Sequence, residues 1–218
     1  FSAGIPILLI FSTLSVWLRE AGVDRSAVTF FSWAALGYSF KFLWAPIIDL
    51  LPVPFLDSLL GRRRAWLLIA QCLIIIAILC MAAVDPAHDP QNLTLMALAA
   101  VLLGFSSASQ DIVIDAYRIE SAEQCLQALL SSMYIAGYRI GMLVAGAGSL
   151  FLADYIGNGS PDYNYHAWRL TYIVMAATMV CGVVTTFCIA EPVCSRQVGR
   201  HKYTVSEYLR FSLSFLLV

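Results

Sequence analysis

Six times along the chain the sequence stays apolar for about the length that a helix needs to cross a hydrocarbon core, and near Tyr208 it begins to do so again. Such a core is ~30 Å thick and takes roughly 20 helical residues. It offers the backbone no water, so each segment must satisfy its own N–H and C=O groups, and a continuous apolar run does so as an α-helix. The spans read as 1–18, 27–50, 65–84, 93–114, 126–153 and 169–190, with Gly4 and Pro6 predicting a kink near the start of the first. Composition agrees: 60% of the residues are hydrophobic and 12% charged, about half of the ~25% charge usual in a soluble domain. The fold class is an all-α, polytopic membrane protein.

The few charges are sorted between the two ends of the spans. Loops after spans two, four and six hold Arg62, Arg63, Arg64, Arg118, Arg196, Arg200 and Lys202, whereas those after spans one, three and five hold Arg19, Arg25 and Arg169. The positive-inside rule makes the first group cytoplasmic and puts the N-terminus on the same side. Phe1 opens into an apolar segment with no basic n-region or cleavage site, so no cleavable signal peptide is read. Both ends are expected to fall inside helices of a longer protein. Glu191-Pro192 closes span six ahead of a polar stretch of about fifteen residues, long for a connection. The expected organisation is a six-helix bundle over 1–191, a cytoplasmic linker over 192–207 and the start of a seventh helix over 208–218. That is the layout of the first half of a twelve-span carrier, in which each six-helix bundle is built of 3+3 inverted repeats.

Other classes find little support. A basic face for nucleic acid is absent. Cys72, Cys80, Cys125, Cys181, Cys188 and Cys194 form no C-x-x-C pair and mostly lie in apolar runs, so they read as packing residues. His88, His166 and His201 fall in loops without the partners of an H-E-x-x-H site, and no G-x-S-x-G serine is present. Neither a catalytic nor a metal site is predicted.

What remains are charges inside the spans, where each costs roughly 2.5–3.5 kcal/mol at mid-helix on insertion scales. Arg139 is the deepest, roughly 20 Å from the start of span five at ~1.5 Å per residue. It is expected to face a wet cavity or a buried carboxylate, as a substrate contact or a structural ion pair. Gly137, Gly141, Ala145 and Ser149 make a small-residue strip on another side of that helix, suited to close packing, while Tyr134 and Tyr138 share a face beside Arg139. Lys41 lies on a small and polar stripe of span two with Ala34, Tyr38 and Ala45. Asp111 continues a similar stripe in span four with Ala100, Gly104, Ser107, Ala108 and Asp115, and Gln110 adds an amide beside it. A carboxylate there is disfavoured as an anion by burial and favoured by a nearby Lys41 or Arg139, so an occupied site can toggle its protonation. Asp115 has Arg118 at i+3 and also reads as a helix-end ion pair. Asp49, with Arg62, Arg63 and Arg64 across a short loop, reads as a conformational latch or as simple membrane anchoring.

The Asp49 and Gly61-Arg62-Arg63-Arg64 pattern resembles the signature between the second and third helices of the major facilitator superfamily, although Leu50 stands where an Arg often follows the Asp. Longer strings are similar to the AmpG muropeptide permease family. These are Phe30-Phe31-Ser32, Tyr38-Ser39-Phe40-Lys41-Phe42-Leu43-Trp44-Ala45-Pro46, and Gly61-Arg62-Arg63-Arg64-Ala65-Trp66-Leu67-Leu68. Ser107-Ala108-Ser109-Gln110-Asp111-Ile112-Val113 with Asp115-Ala116, Gly137-Tyr138-Arg139-Ile140-Gly141-Met142-Leu143-Val144, and Leu152-Ala153-Asp154 continue the resemblance. It implies a carrier of the bacterial inner membrane that imports N-acetylglucosaminyl-1,6-anhydro-N-acetylmuramyl peptides for peptidoglycan recycling. Transport would be driven by the proton gradient without a cofactor, and the imported products would feed β-lactamase induction. The expectation is then alternating access in a monomer in the lipid bilayer. Arg139, Lys41, Tyr38, Tyr134, Tyr138 and Gln110 would bind the muropeptide, and Asp111 and Asp115 would couple protons. An acetyl-CoA-transporter-like carrier of the same superfamily and a non-transporting membrane sensor are the alternatives.

Overall fold

The computed structural model describes residues 1–24, 31, 36–121, 123–159 and 162–192. The expected linker beyond Pro192 and the seventh span lie outside the described residues. In chain order the helices are α1 (Ser2–Glu20), the short α2 (Leu36–Ser39), α3 (Ala45–Leu50) and α4 (Leu56–Leu60), then α5 (Arg62–Ala82), α6 (Pro90–Ser121), α7 (Gln124–Ile156) and α8 (Tyr165–Cys188). Helices α1, α5, α6, α7 and α8 are each long and apolar enough to cross a membrane. They correspond to the expected spans one, three, four, five and six, and α6 continues past the expected end at 114 to Ser121.

Span two departs from the expectation of one continuous helix. Its described part is α2, a single 3-10 turn at Lys41–Leu43, and α3. Phe40 and Trp44 leave α geometry, at φ −96°, ψ 7° and φ −106°, ψ −5°. The cause is Pro46, which has no N–H to give to the carbonyl four residues back, so the chain breaks and restarts with the proline in the first turn of α3.

Helices α1 and α6 are the best-buried spans and α7 the least. The core gathers around Ile5, Leu9, Leu14, Trp17 and Leu18 of α1, with Ile74 and Ile78 of α5, Met96 and Leu103 of α6, and Tyr172 and Met175 of α8. Helix α7 reaches this core by touching α1 backbone to backbone. A Cβ on Gly4 would run into the Tyr138 carbonyl, and one on Gly141 would meet the Phe1 carbonyl and lie 3.3 Å from the Gly4 Cα. The predicted strip of Gly137, Gly141, Ala145 and Ser149 is this contact surface. Higher up, both helices carry a π-helical turn, Leu9–Thr13 in α1 and Val144–Gly148 in α7. Such turns misalign carbonyls that an apolar medium leaves unpaired. Hydroxyls supply the partners: Thr13 Oγ1 donates to the Ala145 carbonyl at 2.9 Å and lies 3.0 Å from Ser149 Oγ, which in turn reaches the Ala145 and Gly146 carbonyls.

The end opposite the arginines is closed by aromatic rings. Trp17 stacks on Trp168 with centroids 5.8 Å apart and leans on Tyr172 at 4.8 Å. The Trp17 indole donates to the Tyr163 hydroxyl at 3.2 Å, and Tyr163 donates to Asp85 at 2.7 Å. Burial pushes the Tyr163 phenol well above its ordinary range, so it stays a donor at any working pH. The described cysteines are free and exposed, a correction to their reading as packing residues: they face out of the bundle.

Replacing Gly141 by Leu should destabilise the bundle by about 1–3 kcal/mol through overpacking at the α1–α7 crossing. Gly148→Ala should be neutral, since its added Cβ meets only the Leu143 carbonyl, at 3.8 Å. Thermal unfolding in detergent distinguishes them: a lower Tm for the first variant alone is expected, and equal Tm values would show that the crossing is not tight.

Candidate functional site

Two polar clusters involve α6, one at the arginine-rich end and one deeper along the helix. The first is built on the start of α5. Gly61, at φ +89°, turns the chain into α5, and a Cβ there would lie 2.5 Å from Glu191 side-chain atoms, so glycine is needed both for the backbone and for the space. The Glu191 carboxylate accepts from the Arg63 and Arg64 backbone N–H groups at 2.9 and 3.2 Å. It thereby caps donors that have no intrahelical partner and sits at the positive end of the helix dipole.

Arg63 itself is buried. Its guanidinium binds Asp49, at the end of α3, at 2.5 Å and Glu120, near the end of α6, at 2.5 Å, with Nε donating to both Glu120 oxygens at 3.1 and 3.2 Å. Arg64 donates instead to the Thr186 and Phe187 carbonyls that end α8, at 2.9 Å each, and the Tyr117 hydroxyl donates to the Ala190 carbonyl at 2.8 Å. Spans two, three, four and six thus meet at one point. The predicted pairing of Asp49 with the arginines is present but narrower than expected: Arg63 makes the ion pair, Arg64 caps α8, and the Arg62 Nε is buried with no hydrogen-bond partner among the described residues. All of these contacts lie within the six-span unit.

The second cluster surrounds Asp111. Asp111 is 8% exposed, and its Oδ1 has no hydrogen-bond partner among the described residues. Lys41, Asp115 and Tyr134 stand close enough to act on it electrostatically. Tyr38 and Tyr138 face it as well. Tyr38 is held in place by donating to Ser107 Oγ at 2.7 Å, and below it Trp44 donates to Ser109 Oγ at 3.1 Å while its ring lies on Phe105 at 4.6 Å. The broken second span is therefore buttoned onto α6 by two serines, which brings Lys41 beside Asp111.

The expected trio of Asp111, Lys41 and Arg139 comes together only in part. Arg139 is exposed on α7, in no ion pair among the described residues, and its electrostatic neighbour is Tyr138. The depth of Arg139 along the helix and its place on another side of α7 from the glycine strip were legible; that it would not meet Asp111 was not. It shares its sector of α7 with Ser132, while Leu129, Met133 and Ile140, more than half exposed, form the neighbouring apolar sector. Gln110 points the other way: it is wholly buried and its amide nitrogen donates to Ser2 Oγ at 3.4 Å. It packs α6 against α1 and does not reach the Asp111 face, contrary to the expected ligand contact. Asp115 pairs with Arg118 at 3.2 Å, as the helix-end reading has it. Sequence reasoning missed Glu120 and Glu191 as partners of α5, because they lie 57 and 128 residues from Arg63 and no local spacing points to them.

Comparison with known proteins fits this architecture. A sequence model of the Major Facilitator Superfamily matches residues 1–208. A Rickettsia felis protein carrying the name "Putative transporter AmpG 4" is 37% identical over 207 residues, which is 95% of this chain and 46% of that protein. The "Anhydromuropeptide permease" of Escherichia coli K12 is 36% identical over 192 residues, 88% of this chain and 36% of the relative. A Haemophilus influenzae protein of unassigned function is 32% identical over 191 residues, 41% of its length. The chain therefore spans less than half the length of the curated relatives it matches.

Removing the Arg63 guanidinium leaves the largely buried Glu120 without its partner, a change that costs about 3–5 kcal/mol where a pair is fully buried. Arg63→Gln should lower the thermal stability of the protein sharply, and adding Glu120→Gln should restore part of the loss. Equal destabilisation by the single and double variants would show that the ion pair is not what holds the spans together.

Proposed function

We propose that this chain, which belongs to the major facilitator superfamily, forms the first six-span half of a proton-coupled carrier that imports anhydromuropeptides by alternating access. The observation that carries this reading is Asp111: a buried carboxylate in a membrane helix, incompletely hydrogen-bonded, beside Lys41 and three tyrosines. Residues kept at such a cost in a bilayer are functional by default.

In this reading Lys41 and Arg139 attract the carboxylates of the peptide stem, and Tyr38 and Tyr138 offer ring faces to the sugars. Asp111 carries the coupling proton. A Lys41 ammonium facing Asp111 favours the charged form of the carboxylate. A ligand carboxylate that engages Lys41 takes that partner away, and a proton then replaces it on Asp111, so substrate and proton load together. Release of both on the other side resets the pair. No cofactor is required, the proton gradient supplying the energy. The arginine-rich end is cytoplasmic by the positive-inside rule, and substrate moves from periplasm to cytoplasm across the bacterial inner membrane. The Asp49, Arg63 and Glu120 cluster keeps the half rigid while it rocks as a body, and Arg62 and Arg64 anchor the same end. Similarity to the named permease and transporter supports the reading.

Uptake of labelled anhydromuropeptide into vesicles holding the full-length carrier tests it. Wild-type uptake should require a pH gradient, and Asp111→Asn should fall to the level seen without one; normal gradient-dependent uptake by that variant would remove Asp111 from the coupling. Lys41→Met should raise KM by about tenfold, as loss of one charge-assisted hydrogen bond does. Preferential competition by acetyl-CoA would point to the related carrier class, and binding without uptake to a sensor.

A further inference from the structure

We propose that the segment 51–60, between spans two and three, is a membrane-interface anchor whose Phe55 and Leu59 side chains sit among the lipids of the leaflet at the arginine-rich end. The proposal needs only that α5 crosses a membrane, and it is independent of cargo and coupling.

From Leu51 to Leu60 the chain reads Leu-Pro-Val-Pro-Phe-Leu-Asp-Ser-Leu-Leu. Phe55 and Leu59 are the most exposed large apolar side chains among the described residues, at 86% and 82%. An unusual backbone turns Phe55 outward. The Leu56 N–H donates to the Pro54 carbonyl at 2.9 Å, and Phe55 between them lies at φ +67°, ψ −47°. That is the rare, strained form of the γ-turn, which a bulky residue seldom adopts. Two large apolar groups displayed side by side on a strained turn mark a surface that something covers.

Two observations point to lipid as the cover. The first is the backbone, whose groups find partners without water. Pro52 and Pro54 have no N–H to satisfy. The Leu51 carbonyl accepts from the Trp66 indole at 2.8 Å, and the Phe55 carbonyl from the Ser58 hydroxyl at 2.7 Å. The Val53 and Asp57 carbonyls accept from the Asp57 and Gly61 N–H groups, at 3.0 Å each. A loop in water has no need of such pairing, whereas one at the edge of the hydrocarbon does. The second is position. On α5, Arg62, Trp66, Ile69, Cys72, Ile76 and Cys80 follow one another at helical spacing, and none is buried. From Ile69 onward this row is apolar, as a lipid-facing surface must be. Trp66 and Arg62 stand at its end, where aromatic and basic residues mark the interface. Through Leu51, Trp66 ties the segment to this row, so the lipid-facing surface continues onto Phe55 and Leu59 at headgroup level. Asp57 falls between them at a spacing that sends it to the other side, which gives the segment the apolar and charged faces of an interfacial helix.

Spin labels in the full-length protein, with its native cysteines replaced by alanine and reconstituted in phospholipid vesicles, test the anchor. Phe55→Cys, Leu59→Cys and Asp57→Cys are labelled one at a time. Collisions with molecular oxygen, which enters lipid, are compared with those of a water-soluble nickel chelate. Labels at 55 and 59 should favour oxygen and report a depth of about 5–10 Å inside the headgroup boundary, as interfacial helices reach, while the label at 57 should favour nickel. Nickel access at 55 and 59 equal to that at 57 would show a surface facing water and overturn the proposal. Protection of both from both reagents would show a protein cover, such as another part of the chain, and overturn it as well. Should Phe55→Cys fail to fold, Leu59→Cys alone carries the same outcomes.

Discussion

An apolar surrounding gives a polar group no water to fall back on, and most of this structure follows from where each such group finds a partner. The backbone answers by being helical. Where it departs from the α-helix, a side chain steps in: Thr13 and Ser149 at the paired π turns, Glu191 at the start of α5, Arg64 and Tyr117 at the end of α8. Apart from the Ser149 bonds within α7, each of these joins one span to another or to the chain just beyond it. The rule that forbids unpaired groups in a bilayer therefore also dictates which helices lie side by side.

The two ends of the bundle meet that demand with different chemistry. At one, a buried guanidinium collects Asp49 and Glu120 and a carboxylate caps a helix; at the other, Trp17, Trp168 and Tyr172 stack and use their polar edges on Glu20, Tyr163 and the Leu9 carbonyl. Charge clusters resist shear because they are directional, whereas stacked rings slide at little cost. In a rocking carrier this favours a half that holds its form at the arginine-rich end and adjusts at the other.

Much of this was legible in the sequence, and the failures share a cause. The long spans followed from apolar length alone, because a bilayer sets that length independently of any neighbour. The glycine strip of α7 was legible for the same reason, since close packing needs small residues at one helical spacing. Span two was misread as continuous: its apolar run is real, but Pro46 interrupts hydrogen bonding that hydropathy does not register. Gln110 turned inward against α1, and Arg139 did not join Asp111, because direction is decided by the helix each span packs against. Glu120 and Glu191 were missed as partners because an ion pair across the bundle leaves no trace in local spacing.

The exceptions to full pairing are informative because they are concentrated. Among the described residues, the buried side-chain atoms without a partner are Arg62 Nε, Ser106 Oγ, Gln110 Oε1, Asp111 Oδ1 and Arg118 Nε, and four of the five lie on α6. Ser106 and Gln110 point into the bundle, where a bound water can serve both. Asp111 differs from these two in being ionisable and in lying close to Lys41. A structure that pairs most of its buried polar atoms leaves an oxygen of this carboxylate without a partner, and the unmet capacity is what a proton or a ligand can use. The oddity of Asp111 is thus a consequence of the same constraint that builds the bundle, relaxed at one position.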